Sequence, residues 1–194
     1  QAGNELPAAA QQLQARWQAL QDSNSRLGAE LASDAAWKDA AAAWDKLKTA
    51  PAGSAEQWIA AYGNLSDKLN NLIGAISDNS NLTLDPDIDT YYLMDAATAK
   101  LTTLVSHLGE ANAVAALAAA NHPLAPAQRD RLVELRPLIA EVNDGLAGDI
   151  AKAVAYNPSL KPDMATQAAK LAAVLKNQLP AIDDAVGGKT GAAG

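Results

Sequence analysis

The chain of 194 residues contains no cysteine, which excludes disulfides, thiolate nucleophiles and cysteine-ligated zinc together. Phenylalanine is also absent, and aromatic residues make up only 4% of the sequence. Alanine dominates a hydrophobic content of 49%, and such material suits closely packed helices better than sheets. Positive charge is scarce: 15 Lys and Arg stand against 22 Asp and Glu, and the net charge of -7 speaks against a nucleic-acid surface, which needs clustered cations. No apolar run reaches the roughly 18 residues of a membrane span. Gln1 to Glu5 lack the basic start and apolar stretch of a signal peptide. With no initiator Met, the chain reads as a piece of a longer protein, in which any flanking membrane segment would lie outside the given sequence.

What is present is helical periodicity. Leu13, Trp17, Leu20, Asn24, Leu27 and Leu31 recur at alternating steps of four and three, the seam of a helix lying nearly parallel to its neighbours. Asn24 is the one polar member, either a register-fixing buried residue or a locally exposed one. The seam resumes out of phase at Trp37, Ala40, Trp44 and Leu47, so a kink or a new N-cap is expected at Ser33. Ser54 and Gln57 form a capping box after a Pro- and Gly-containing loop. The next seam is Trp58, Tyr62, Leu65, Leu69, Leu72 and Ile76, and the same rhythm then lands on Asn79 and Thr83. A third helix is expected to open with Asp85 as N-cap and Pro86 at its first position, and to carry Tyr91, Met94, Thr98, Leu101, Val105 and Leu108 inward. Since the residue before Pro86 is disfavoured in helical conformation, a chain reversal is expected there. A fourth helix runs from Pro126 through an internal Pro137, which should bend it, to Asn157-Pro158. A fifth opens at Pro162 and runs to Leu179, with Pro180 and Gly187-Gly188 loosening the end.

The expected architecture is therefore all-α: an elongated up-and-down antiparallel bundle of four to five long helices, the first one broken or kinked near Ser33. It forms one domain over residues 1–194, with 1–5 and 187–194 frayed.

Signals for chemistry are weak. Asp85, Asp87 and Asp89 imitate the first ligands of a calcium loop, but Thr90 stands where that loop needs Gly and Ala96 where it needs Glu. These carboxylates read as the charged first turn of a helix, and no metal or cofactor is expected. Gly187-Gly188-Lys189-Thr190 matches only the end of a phosphate loop, with Asp183 at the place of its first Gly. His107 and His122 lack the spacing of ligands or of a general base, and no nucleophile motif occurs. No enzymatic activity is expected. Arg129, Arg131 and Arg136 are the one arginine cluster, suited to clamping a carboxylate ligand or to pairing with Asp130, Glu134 and Glu141. The candidate ligand-binding residues are Asn79, Thr83, Tyr91, Tyr92, Asp95 and Thr98, a polar layer on otherwise apolar seams. Such a layer serves either as a pocket or as a device of packing specificity.

The run Asp78-Asn79-Ser80-Asn81-Leu82-Thr83-Leu84-Asp85-Pro86-Asp87-Ile88-Asp89-Thr90-Tyr91-Tyr92-Leu93-Met94-Asp95 resembles a signature in extracytoplasmic helical sensor regions of bacterial methyl-accepting chemotaxis proteins and related membrane-bound sensor kinases and diguanylate cyclases. The likeness extends more loosely to the Trp37 and Trp44 segment, to Leu101 through Glu110, and to Tyr156-Asn157-Pro158-Ser159-Leu160. The resemblance implies a periplasmic domain of an inner-membrane receptor, set between transmembrane helices outside this chain. It also implies a homodimer in the full receptor, a small-molecule ligand such as an organic acid or aromatic compound, and signalling by small helix displacement. The other reading is a structural or protein-docking bundle that senses nothing.

Overall fold

A computed structural model describes residues 2–49, 55–84, 86–119 and 123–188. Among them the chain is helical almost throughout: α1 (Ala2–Leu27), α2 (Asp34–Thr49), α3 (Ala55–Asn79), α4 (Ile88–Asp95), α5 (Leu101–Ala119), α6 (Pro126–Tyr156) and α7 (Lys161–Val186). A π-helical turn, Ala96–Lys100, joins α4 to α5 into one rod, and short 3-10 turns cover Leu82–Leu84 and Pro158–Leu160. The whole is an elongated antiparallel helical bundle.

The break near Ser33 is a full reversal. Gly28 donates to the Asn24 carbonyl at 2.7 Å, and a Cβ at Gly28 would meet that same oxygen at 2.7 Å, so only glycine passes. Ala32 then takes a positive φ of 47°, and Ser33 precedes α2 with its hydroxyl buried and unpartnered. Folding back brings Trp17 of α1 between two rings of α2, at 5.3 Å from Trp37 and 4.7 Å from Trp44. These stacked indoles, with Ala40, Leu47, Leu65 and Leu72, form one apolar core shared by α1, α2 and α3.

The second core lies among α5, α6 and α7. Leu104, Leu132, Leu135, Ile139 and Ile182 are almost wholly buried there, and small residues such as Ala111 and Ala115 let the axes approach closely. Helix α3 lies against α2 on one side and α5 on the other, and so connects the two cores.

Several seams differ from the periodic expectation. On α3, Trp58 and Tyr62 are exposed, and burial starts at Leu65. On the α4–α5 rod, Leu101 and Val105 are exposed while Leu104, Leu108, Ala111 and Val114 are buried. Tyr91, ahead of the π turn, is exposed as well, so the face buried on the rod is a different one from the Tyr91–Val105 series. Helix α4 begins at Ile88 rather than Pro86, since Asp87 is still extended at φ -85°, ψ 130° and occupies the N-cap position without a side-chain cap bond. Asp85 and the Ser54 half of the expected capping box lie outside the described residues. Pro180 does not end α7. It sits exposed in the helix, and the seam continues past it to Ile182 and Ala185. Pro137 likewise lies inside α6 with its ring on the solvent side.

Candidate functional site

The stretch from Asp78 to Asp95 folds into the joint between α3 and the α4–α5 rod. Asn81 takes a positive φ of 59° and the 3-10 turn follows, so the chain reverses. Cross-helix pairs record the antiparallel result: the Ser66 and Ser106 hydroxyls lie 2.7 Å apart, and the Tyr62 ring lies against Gly109. Ahead of the reversal, Asn79 Nδ2 donates to the Ala32 carbonyl at 3.4 Å, tying the end of α3 to the α1–α2 turn. Thr83 is exposed in the 3-10 turn. Neither residue lies with the polar side chains of α4.

Those side chains face α6. Asn157 Nδ2 donates to Asp89 at 2.8 Å, which joins the start of α4 to the end of α6. One turn on, Tyr92 meets Tyr91 edge to face at 5.4 Å and lies under the Lys152 ammonium at 4.7 Å. Tyr91 itself is 43% exposed. Further along, Lys100 donates to both Asp95 and Asp149. The Asp149 side chain is only 6% exposed, and Lys152 stands 3.8 Å from its other oxygen. Thr98 turns back on its own helix and donates to the Met94 carbonyl at 2.9 Å.

The π turn makes the Lys100 contact available. In an α-helix, residues five apart point about 140° away from each other at about 100° per residue, so Asp95 and Lys100 would not meet. Here Leu101 N–H donates to the Ala96 carbonyl, a five-residue step, and the wider turn sets the two side chains together. Across the interface Gly145 leaves room for the Lys100 stem, since a Cβ there would lie 3.0 Å from its Cε. The Lys100 hydrogen bond lowers the Asp95 pKa below the usual carboxylate value, against the opposing effect of burial. Burial disfavours the charge on Lys100, but its bonds to Asp149 and Asp95 outweigh this and raise its pKa. Two carboxylates and two ammonium groups thus form a balanced cluster that ties α4 and the π turn to α6.

Two grooves flank the rod. One, of about 730 Å³, runs between α3 and α5 to the start of α6 and has polar walls that include Asn70, Ser106, His107 and Arg131. The other, of about 580 Å³, is almost wholly apolar and lies where Leu93, Ala97 and Leu101 face Ile150 of α6 and Leu171 and Val174 of α7. None of the six sequence-predicted site residues lines either groove. Tyr92 and Asp95 belong to the charge cluster between α4 and α6 instead. Sequence reasoning passed over Lys100, Asp149 and the Ser66–Ser106–Asn70 network, because each is defined by a partner on another helix. His107 does carry a local signal: burial first and the Arg131 charge second lower its pKa, with Glu110 opposing, and its Nδ1 is buried without a partner. Two of the three clustered arginines are engaged within the protein, Arg131 bidentately by Glu110 at 2.7 and 2.9 Å and Arg136 by Asp183 at 2.7 Å. Among the described residues no three His, Asp or Glu side chains gather as a metal site, and no helix is long and apolar enough to cross a membrane. Comparison with protein-family models, with curated proteins and with solved structures finds no match.

Proposed function

We propose that this chain is the extracytoplasmic ligand-sensing domain of a bacterial transmembrane chemoreceptor or related sensor, non-enzymatic, dimeric in the full receptor and periplasmic. The observation that carries the reading is the π turn. It interrupts the rod at the end of the signature-like stretch, is held by a cross-helix charge cluster, and borders the apolar groove through Ala96 and Ala97. A π turn and an α turn are two discrete arrangements of the same residues. A ligand that favours one over the other converts binding into rotation and translation of α5 against α3 and α6. The two stretches that resemble the receptor family at a distance in sequence also touch here, through Asn157 and Asp89.

Thermal-shift screening against amines, organic acids, amino acids and aromatic acids tests the reading, because a ligand that binds only the folded state raises the melting temperature. Silence across that panel, with the flanking helices of the full receptor restored, would refute direct sensing. The docking alternative rests on the apolar groove. It predicts that mutations at Leu93 and Val174 disturb a protein complex while small molecules leave the melting temperature unchanged.

A further inference from the structure

Among the described residues, the groove between α3 and α5 is lined by three carboxylates, Glu56, Asp67 and Glu110, against one cation. Its single cation, Arg131, is occupied by Glu110 and, at 3.2 Å, by Glu134, so an anionic ligand would meet no free positive charge there. Carboxylates stand at both ends. Glu56 and Asp67 lie three turns apart on one face of α3, about 16 Å at 1.5 Å per residue. Glu56 holds only a 3.4 Å bond from Gln128, and Asp67 is exposed with no ion pair among the described residues. Between them the α3 wall is Ile59, Ala60, Gly63, Asn64 and Ser66, and nothing lies within 4 Å of where a Gly63 Cβ would be. Opposite stands His107, whose lowered pKa favours the uncharged ring and so adds no repulsion toward a cation.

We propose that this groove binds a linear organic polyamine, with ammonium groups on Glu56 and Asp67 and the methylene chain laid along Ile59, Ala60 and Gly63. The proposal rests on the sensing reading and specifies its ligand class. Carboxylates form charge-assisted hydrogen bonds with ammonium groups, and an open, elongated groove with Ile59, Ala60 and Gly63 set between two carboxylates matches a cation whose charges are separated by methylenes. The unmatched acidity of the walls disfavours the organic acids that the resemblance implies.

Isothermal titration of the 194-residue chain with spermidine tests this. One-to-one saturable binding is expected, weakened about tenfold by Asp67→Asn or Glu56→Gln, the loss of one charge-assisted contact. Gly63→Leu should abolish binding without lowering the melting temperature, because leucine is the better helix former and its side chain enters the groove rather than the core. Gly74→Leu, also on α3 with open space at its Cβ, should bind as the wild type does. Equal binding by Gly63→Leu would reveal diffuse attraction to the net charge of -7 and overturn the proposal, as would no binding of spermidine at all. An acid or aromatic compound that binds wild type but not Gly63→Leu would overturn the polyamine class and leave sensing standing. Spin labels at Asn71→Cys and Ala116→Cys separate the remaining case: site-specific spermidine binding with an unchanged interlabel distance would sustain the site and sink the sensing reading.

Discussion

Lys100 bridges the carboxylates of Asp95 on α4 and Asp149 on α6. Replacing it with Met leaves Asp149 buried with only Lys152, at 3.8 Å, as a counter-charge. Removing one partner of a buried pair is costly, and a loss of about 3 kcal/mol in urea unfolding is expected, much of it restored in Lys100→Met/Asp149→Leu. His107 gives a pH test. Its folded pKa lies below the ordinary value, so the unfolded chain takes up the proton more readily. The His107 contribution is therefore fully present above about pH 6.5 and declines as pH falls through that value toward the folded pKa. His107→Gln should flatten the stability profile in that window and leave the acid limb below it. That limb includes Asp95, whose contribution is present above the ordinary carboxylate pKa and lost as pH falls through its lowered one.

At the scale of the element, the α4–α5 rod has two apolar stretches that one wide turn brings into phase. Ala96 and Leu104 are both buried though eight positions apart, which in a regular α-helix would set them about 80° out of line. Deleting exposed Ala97 removes the extra residue and brings Asp95 and Lys100 to the four-residue spacing at which an α-helix pairs opposite charges. The deletion variant should fold within about 1 kcal/mol of the parent and retain its circular dichroism. If the π turn is the signalling element, the variant should no longer show a ligand-dependent change in interhelix distance. Helix α7 shows a related point. Pro180 reads as a terminator in sequence, but an exposed proline inside a helix costs one hydrogen bond, and burial of Ile182 and Ala185 beyond it keeps the helix going.

Across the whole molecule the two cores are unequal. The α5–α6–α7 core gathers the most deeply buried leucines and isoleucines, whereas among the described side chains of α1 Trp17 is the buried apolar one, set between Trp37 and Trp44, with Leu13 and Leu27 exposed. Native-state hydrogen exchange should release α1 amides first and those of α5 and α6 last, since local stability follows local burial. Trp17→Ala should hasten exchange in α1 and α2 while leaving α5–α7 protection unchanged; equal acceleration everywhere would mean a single cooperative unit. The sequence by itself determined the helical class, the antiparallel order and most of the inward residues of α2 and α6, because heptad spacing, prolines and glycines act within one helix or one loop. It also singled out Asp78 to Asp95 as unusual. Tertiary structure alone decided what that stretch touches: the Lys100 bridge from Asp95 to Asp149, the Asn157 bond to Asp89 and the Asn79 bond to the α1–α2 turn all require a second element. Periodicity reports which face of a helix is apolar, whereas a partner's identity and a turn's width are set by the energy of the assembled interface.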